Sequence, residues 1–331
     1  LLGVRLGPIQ VAQATIILLW LAALLNFGGN RWTGRISNIT VWGAIIPVIL
    51  VGTIGWYWFD PELYWSAWNP SNLPFFDAVS ASISMTLWAF LGFESAAANA
   101  DAVENPKKNV PIATFFGTLI VAVIYVFSTN VMAGIVPNFD LLNSTAPFGL
   151  TFTYMFNGYI GKLVMATMII SCFGALLCWQ FTISRVFKTC AEEGLFPKIF
   201  AHVNDKDAPI KGLLIILVVQ STMALATANE SLYRQFENLV NLAVCSNVVP
   251  YILSCLAVPR LFREEGASSG RIKRTIPLLV IALIYCAYAI YATGPIAMVG
   301  SAVAISIGIC IYLVAFVIYP RVIGARKKQV S

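Results

Sequence analysis

The run Ser84-Met85-Thr86-Leu87-Trp88-Ala89-Phe90-Leu91-Gly92-Phe93-Glu94-Ser95-Ala96 lies inside an apolar stretch, Phe75–Asn99, and its reading decides the fold. The stretch is long enough to cross a hydrocarbon core of about 30 Å. Terminal turns aside, Glu94 is the only acidic residue of the chain within such a span. An ionisable group at the centre of an inserted helix costs roughly 2.5–3.5 kcal/mol, and such groups mark ion or substrate paths. Gly92, between Trp88 and Glu94, lets a second backbone approach and permits a helix break that exposes polar backbone to a cavity. Broken helices near the bilayer midplane are where secondary transporters bind substrate. The plainer alternative is an unbroken helix whose Glu94 is hydrated near its cytoplasmic mouth. A buried carboxylate beside an aromatic ring suits a cationic ligand, so the stretch predicts a pathway for an amine.

The rest of the chain agrees with a polytopic helical membrane protein. Of 331 residues 59% are hydrophobic and 11% charged, with a mean hydropathy of +0.79, whereas soluble domains carry about 25% charged residues. Nine stretches are apolar and long enough to span: Ile9–Phe27, Ile36–Phe59, Phe75–Asn99, Val110–Val136, Ile160–Phe187, Gly212–Ala228, Phe236–Val258, Ile276–Ala292 and Ile296–Tyr319. With each basic residue in a terminal turn counted in the adjoining loop, the loops after spans one, three, five and seven and the C-terminal tail hold 18 of the 21 Lys and Arg residues. The positive-inside rule makes those segments cytoplasmic and places the C-terminus inside and Leu1 outside. A cytoplasmic natural N-terminus would then require an odd number of further spans upstream, and the chain reads as an N-terminally truncated fragment. The net charge of +6 is a topology signal rather than a nucleic-acid footprint.

Chemistry-bearing residues are few. Seven cysteines lie in spans or at a cytoplasmic end, none in a CxxC pair, so neither disulfides, a metal site nor a cofactor is expected. The single His202 falls in a cytoplasmic loop and reads as solvated. Trp56, Tyr57, Trp58, Trp65 and Trp68 have the composition of an interfacial belt. The loop Cys190–Lys211 has room for a short surface helix, and Asn109, before Val110-Pro111, is an expected N-cap. Trp179 stands deep in the fifth span beside Gln180; it either packs between helices or forms half of an aromatic cage with Trp88 and Glu94. Asn241, Asn247 and Tyr251 place polar atoms at depth in the seventh span, serving interhelical hydrogen bonds or a ligand. Tyr312 in the last span reads first as packing.

Trp88-Ala89-Phe90-Leu91-Gly92 with Glu104-Asn105-Pro106-Lys107-Lys108-Asn109-Val110-Pro111 resembles the amino acid–polyamine–organocation permeases, in particular the basic amino acid/polyamine antiporters. Ser128-Thr129-Asn130-Val131, Asn143-Ser144-Thr145-Ala146-Pro147-Phe148-Gly149, Trp179-Gln180-Phe181-Thr182-Ile183 and Pro250-Tyr251-Ile252-Leu253-Ser254 extend the likeness, which weakens after about Arg260. The resemblance implies an all-α inverted-repeat bundle, of which this chain supplies spans four to twelve. Residues 9–59 are then the last two helices of the first repeat, 75–258 the second repeat and 276–319 two accessory helices. Trp88 would line the pocket, Gly92 would lie at the break, Trp179 would be a middle gate, and Glu94 and Tyr251 would lie on the cytoplasmic path. Ala243 and Asn247 match pocket-facing positions of an arginine-exchanging relative without matching its side chains, and relatives imply a homodimer in a bacterial inner membrane.

That resemblance implies one-for-one exchange of cytoplasmic putrescine for external ornithine by alternating access, with proton-coupled putrescine uptake as a second mode. Lysine–cadaverine or arginine–agmatine exchange is the alternative within the family. A membrane-embedded enzyme lacks a His/Asp/Glu cluster or a serine–base pair, and one acid with two tryptophans does not make the ring of charge of a channel.

Overall fold

The computed structural model describes residues 7–92, 104–226, 228 and 232–318. All regular elements among them are helical. They are α1 (Pro8–Asn26), α2 (Asn30–Thr40), α3 (Trp42–Ile54) running into a 3-10 turn (Gly55–Trp58), α4 (Pro61–Ala67), α5 (Phe75–Ala89), α6 (Pro106–Ala133), α7 (Asn138–Asn143), α8 (Pro147–Met155), α9 (Gly158–Glu192), a 3-10 turn (Lys198–Ala201), α10 (Ile210–Ala226), α11 (Leu232–Glu264) and α12 (Ser269–Ile318).

Among the described residues six helical runs are long and apolar enough to cross a membrane, and Ile210–Ala226 is a shorter apolar helix. α12 is two helical segments, because Gly294 (φ 81°, ψ 166°) leaves the helical region ahead of Pro295. The two segments fall where Ile276–Ala292 and Ile296–Tyr319 were expected. Two expectations are corrected. α6 begins at Pro106, so Asn109 lies inside the helix rather than capping it, and its Nδ2 donates to Glu104 O at 2.6 Å. The surface helix in the loop after α9 is a single 3-10 turn.

The described residues form two compact units. One holds residues 7–71, 119–226, 228 and 311–318, the other 72–92, 104–118 and 232–310.

The first unit is organised by α9, which packs against α1, α2, α3, α8 and α10. Its buried residues, Gly161, Val164, Ser171, Gly174, Leu177, Gln180, Phe181 and Ser184, recur at helical spacing and form one stripe. Small residues on that stripe bring backbones together, as expected where lipid leaves van der Waals packing to hold helices. A Cβ at Gly174 would overlap Thr40 Oγ1 on α2, and one at Gly43 would lie 2.5 Å from Thr167 O. A Cβ at Gly161 would overlap Thr153 Oγ1 on α8.

An apolar cluster of Val51, Val131, Ile135, Val136, Phe152, Met155 and Val164 fills the space among α3, the end of α6, α8 and α9. Several polar side chains buried in this unit have partners, while Gln180 Oε1 has none among the described residues. Asn26 Nδ2 donates to Leu177 O at 3.0 Å while its Oδ1 accepts from Thr33 Oγ1 at 2.9 Å. Gln180 Nε2 donates to Leu19 O (3.3 Å) and Gln220 Oε1 (3.1 Å). Such bonds matter because an unpaired polar group in an apolar interior costs about 1–3 kcal/mol.

At the end of α9 Lys188 Nζ donates to Asp207 Oδ1 at 2.9 Å and lies 3.7 Å from Glu192. The hydrogen bond from Lys188 holds the Asp207 carboxyl below its ordinary range. Asn204 ties the same loop to the α1–α2 corner by donating to Phe27 O at 3.1 Å.

The second unit packs α5, α11 and the first part of α12 around Val240, Val244, Val248, Cys286 and Ala289, with Met85, Leu87 and Leu91 against them. A hydrogen bond joins Ser80 Oγ and Tyr288 OH, and Ser246 Oγ donates to Ser301 Oγ at 3.2 Å.

Candidate functional site

α5 stops short of the span its composition predicts. Helical bonding ends at Ala89, Phe90 sits at φ −103°, ψ 0°, and Gly92 takes φ 113°. That left-handed value is open to glycine and strained for other residues, so the glycine is what allows the chain to leave the helix here. The Leu91 amide still closes a turn on Trp88 O at 3.0 Å. Glu94 and the rest of 93–103 lie outside the described residues.

Trp88 occupies the last turn of α5 and is 41% exposed. Its ring and that of Phe236 on α11 form a T-shaped pair, with centroids 5.2 Å apart and planes at 88°. That geometry directs the positive ring edge at a negative face, the preferred arrangement for an aromatic pair. Sequence reading missed Phe236. Its signal was there: Phe236, Val240, Ala243, Asn247 and Tyr251 follow one another at spacings of four, three, four and four, one face of a helix.

On that face Asn247 Nδ2 donates to Ala243 O at 2.9 Å, one turn back in its own helix, so the two predicted positions are joined to each other. Tyr251 packs against the cluster of Val240, Val244 and Val248. The second unit thus holds Trp88 on α5, Gly92 just past its end, and Ala243, Asn247 and Tyr251 on α11, the helix packed against α5. On α5 Ser84, one turn before Trp88, is buried, and among the described residues its hydroxyl has no hydrogen-bond partner.

Trp179 and Tyr312 belong to the first unit. Trp179 is 49% exposed on α9 while its neighbour Gln180 turns inward and is fully buried. The two residues read together in the sequence thus have opposite surroundings: Gln180 holds α1 and α10, and Trp179 stands clear of the buried stripe. Tyr312, near the end of α12, is 40% exposed. Among the described residues no three His, Cys, Asp or Glu side chains come together as metal ligands. An aromatic pair with a helix break beside it can receive the aliphatic stem and ammonium group of an amine.

A family model described as amino acid permease matches residues 7–319. The chain is 53% identical over 312 residues to the putrescine transporter PotE of Haemophilus influenzae, covering 94% of this chain and 72% of that protein. It is 52% identical to the putrescine transporter PotE of Escherichia coli K12, with 94% and 71% covered. The cadaverine/lysine antiporter of Escherichia coli K12 is 30% identical over 301 residues, covering 89% of this chain and 66% of that protein.

Proposed function

Because this chain belongs to the amino acid permease family and is a multi-pass membrane protein, we propose that it forms the larger part of an antiporter exchanging putrescine for ornithine by alternating access. The observation that carries the reading is the contrast in identity: 52–53% to putrescine transporters over 94% of the chain, against 30% to a cadaverine/lysine antiporter. The protein is a transporter rather than an enzyme on this reading. It sits in a bacterial inner membrane with its C-terminus cytoplasmic, and proton-coupled putrescine uptake and homodimer formation go with the same proposal.

Roles for the named residues follow from their chemistry. Trp88, backed by Phe236, offers a ring face to one ammonium group, a contact worth about 2 kcal/mol when desolvated. Glu94 supplies the compensating carboxylate, and Trp179 gates the path. Gly92 permits the helix break, while Ala243, Asn247 and Tyr251 line the α11 side and Tyr312 borders the route. Residues 9–59 serve as the end of a first repeat, 75–258 as the second and 276–319 as accessory helices. A single site visited in turn by a diamine and a diamino acid needs only the shared amine to be read by these groups.

Lysine–cadaverine exchange is the second reading, favoured by the 30% identical antiporter. Competition separates the two. A chimaera carries this chain in place of the matching part of the Haemophilus influenzae relative, and labelled putrescine uptake is measured in cells. Unlabelled putrescine and ornithine should compete at concentrations at least tenfold below lysine and cadaverine. The reverse order would replace the first reading with the second.

A further inference from the structure

The turn between α11 and α12 concentrates charge. Residues 260–274 carry five cations (Arg260, Arg263, Arg271, Lys273, Arg274) and two carboxylates (Glu264, Glu265). The turn is also well built. α11 ends with Gly266 at φ 71°, Gly266 N donating to Arg263 O at 3.1 Å and Ala267 N to Phe262 O at 2.8 Å. That pair of bonds is the Schellman arrangement, which closes a helix on a left-handed glycine. The Arg271 guanidinium then lies 4.9 Å over the Phe262 ring, stitching the start of α12 to the end of α11.

Internal pairing uses little of this charge. Arg260 Nε donates to Glu264 at 2.9 Å. Among the described residues no carboxylate is in ion-pair contact with Arg263, Arg271, Lys273 or Arg274, and all four are exposed. Both flanking helices are membrane-crossing by length and composition, so the turn lies at headgroup depth, on the face that the charge bias makes cytoplasmic. Exposed Leu261 beside it is positioned for the acyl boundary.

We propose that this hairpin is a docking surface for the phosphate headgroups of anionic phospholipids. Juxtamembrane cations, Arg or Lys, are drawn to the phosphate oxygens of an anionic leaflet by their charge. The hairpin presents four of them on a closed turn. The inference rests on the membrane setting and not on the exchange reaction.

The test uses the protein in phosphatidylcholine vesicles with spin-labelled phosphatidylglycerol or spin-labelled phosphatidylcholine as probe, reading the motionally restricted fraction of each. The unaltered protein should prefer phosphatidylglycerol by about fivefold, the effect of one juxtamembrane cation or more, and lose much of that in high salt. Changing Arg263, Lys273 and Arg274 to Gln should bring the ratio to within about twofold of unity. Changing Lys198, Lys206 and Lys211 to Gln should leave most of it. Arg263→Lys with Arg274→Lys should keep the preference, which guards against a folding defect. No preference in the unaltered protein, an equal loss in the control triple, or loss in the Lys pair with helix content intact would overturn the proposal.

Discussion

Trp88 and Trp179 look equivalent in the sequence, two tryptophans deep in apolar spans, but their surroundings differ. Trp88 has an aromatic partner, Phe236, at 5.2 Å, in a helix that ends one residue on and with left-handed Gly92 four residues on; Trp179 stands beside a fully buried glutamine on an unbroken helix. Trp88→Leu and Trp179→Leu should each raise the Km for putrescine about tenfold, the loss of a cation–π contact of roughly 1–2 kcal/mol, with membrane insertion unchanged. Unchanged Km in both variants would remove the aromatic site.

Asn26 is a different kind of residue, holding two segments through Leu177 O and Thr33 Oγ1 at complete burial. Asn26→Ala strips both partners at once. It should lower stability by about 1–3 kcal/mol, read as an earlier thermal unfolding midpoint in detergent. A midpoint equal to that of the unaltered protein would show that the amide does not hold these helices.

At the scale of elements, hydropathy located the membrane helices because apolar length is a local property. α1 lies within one residue of the expected Ile9–Phe27 at each end. It failed at ends and breaks. α9 runs on to Glu192 and α11 to Glu264, since a helix continues into water wherever backbone bonding and charged side chains support it, and apolar character marks only the embedded part. α5 does the opposite and ends within its apolar stretch. There Gly92 was legible as a permitted break, while the pairing of Trp88 with Phe236, over 140 residues apart, was not, because no local period reports it.

The same limit hid the contact of Gly174 with Thr40. Gly174→Ala should cost about 1–3 kcal/mol by overpacking, and adding Thr40→Ala should recover part of it. An alanine tolerated with no change in unfolding midpoint would mean that α2 and α9 do not pack this closely.

For the whole molecule, the proposed orientation rests on the cation bias, since 18 of the 21 Lys and Arg residues fall in alternate loops and the tail, which the positive-inside rule assigns to the cytoplasm. In a background lacking the native cysteines, Ser66→Cys should react with an impermeant maleimide from outside intact cells, and Ser268→Cys only after permeabilisation. The opposite pattern would invert the topology. Function at this scale rests on a likeness extending over 94% of the chain, far more than the few site residues.

The measurement closest to the central claim is counterflow. The chimaera with the Haemophilus influenzae relative is placed in liposomes loaded with ornithine, lysine, arginine or buffer, and labelled putrescine uptake is followed. Putrescine–ornithine exchange predicts rapid uptake with ornithine inside, at least tenfold above buffer, and little with lysine or arginine. Equal uptake into buffer-loaded liposomes, or none with ornithine inside, would contradict it.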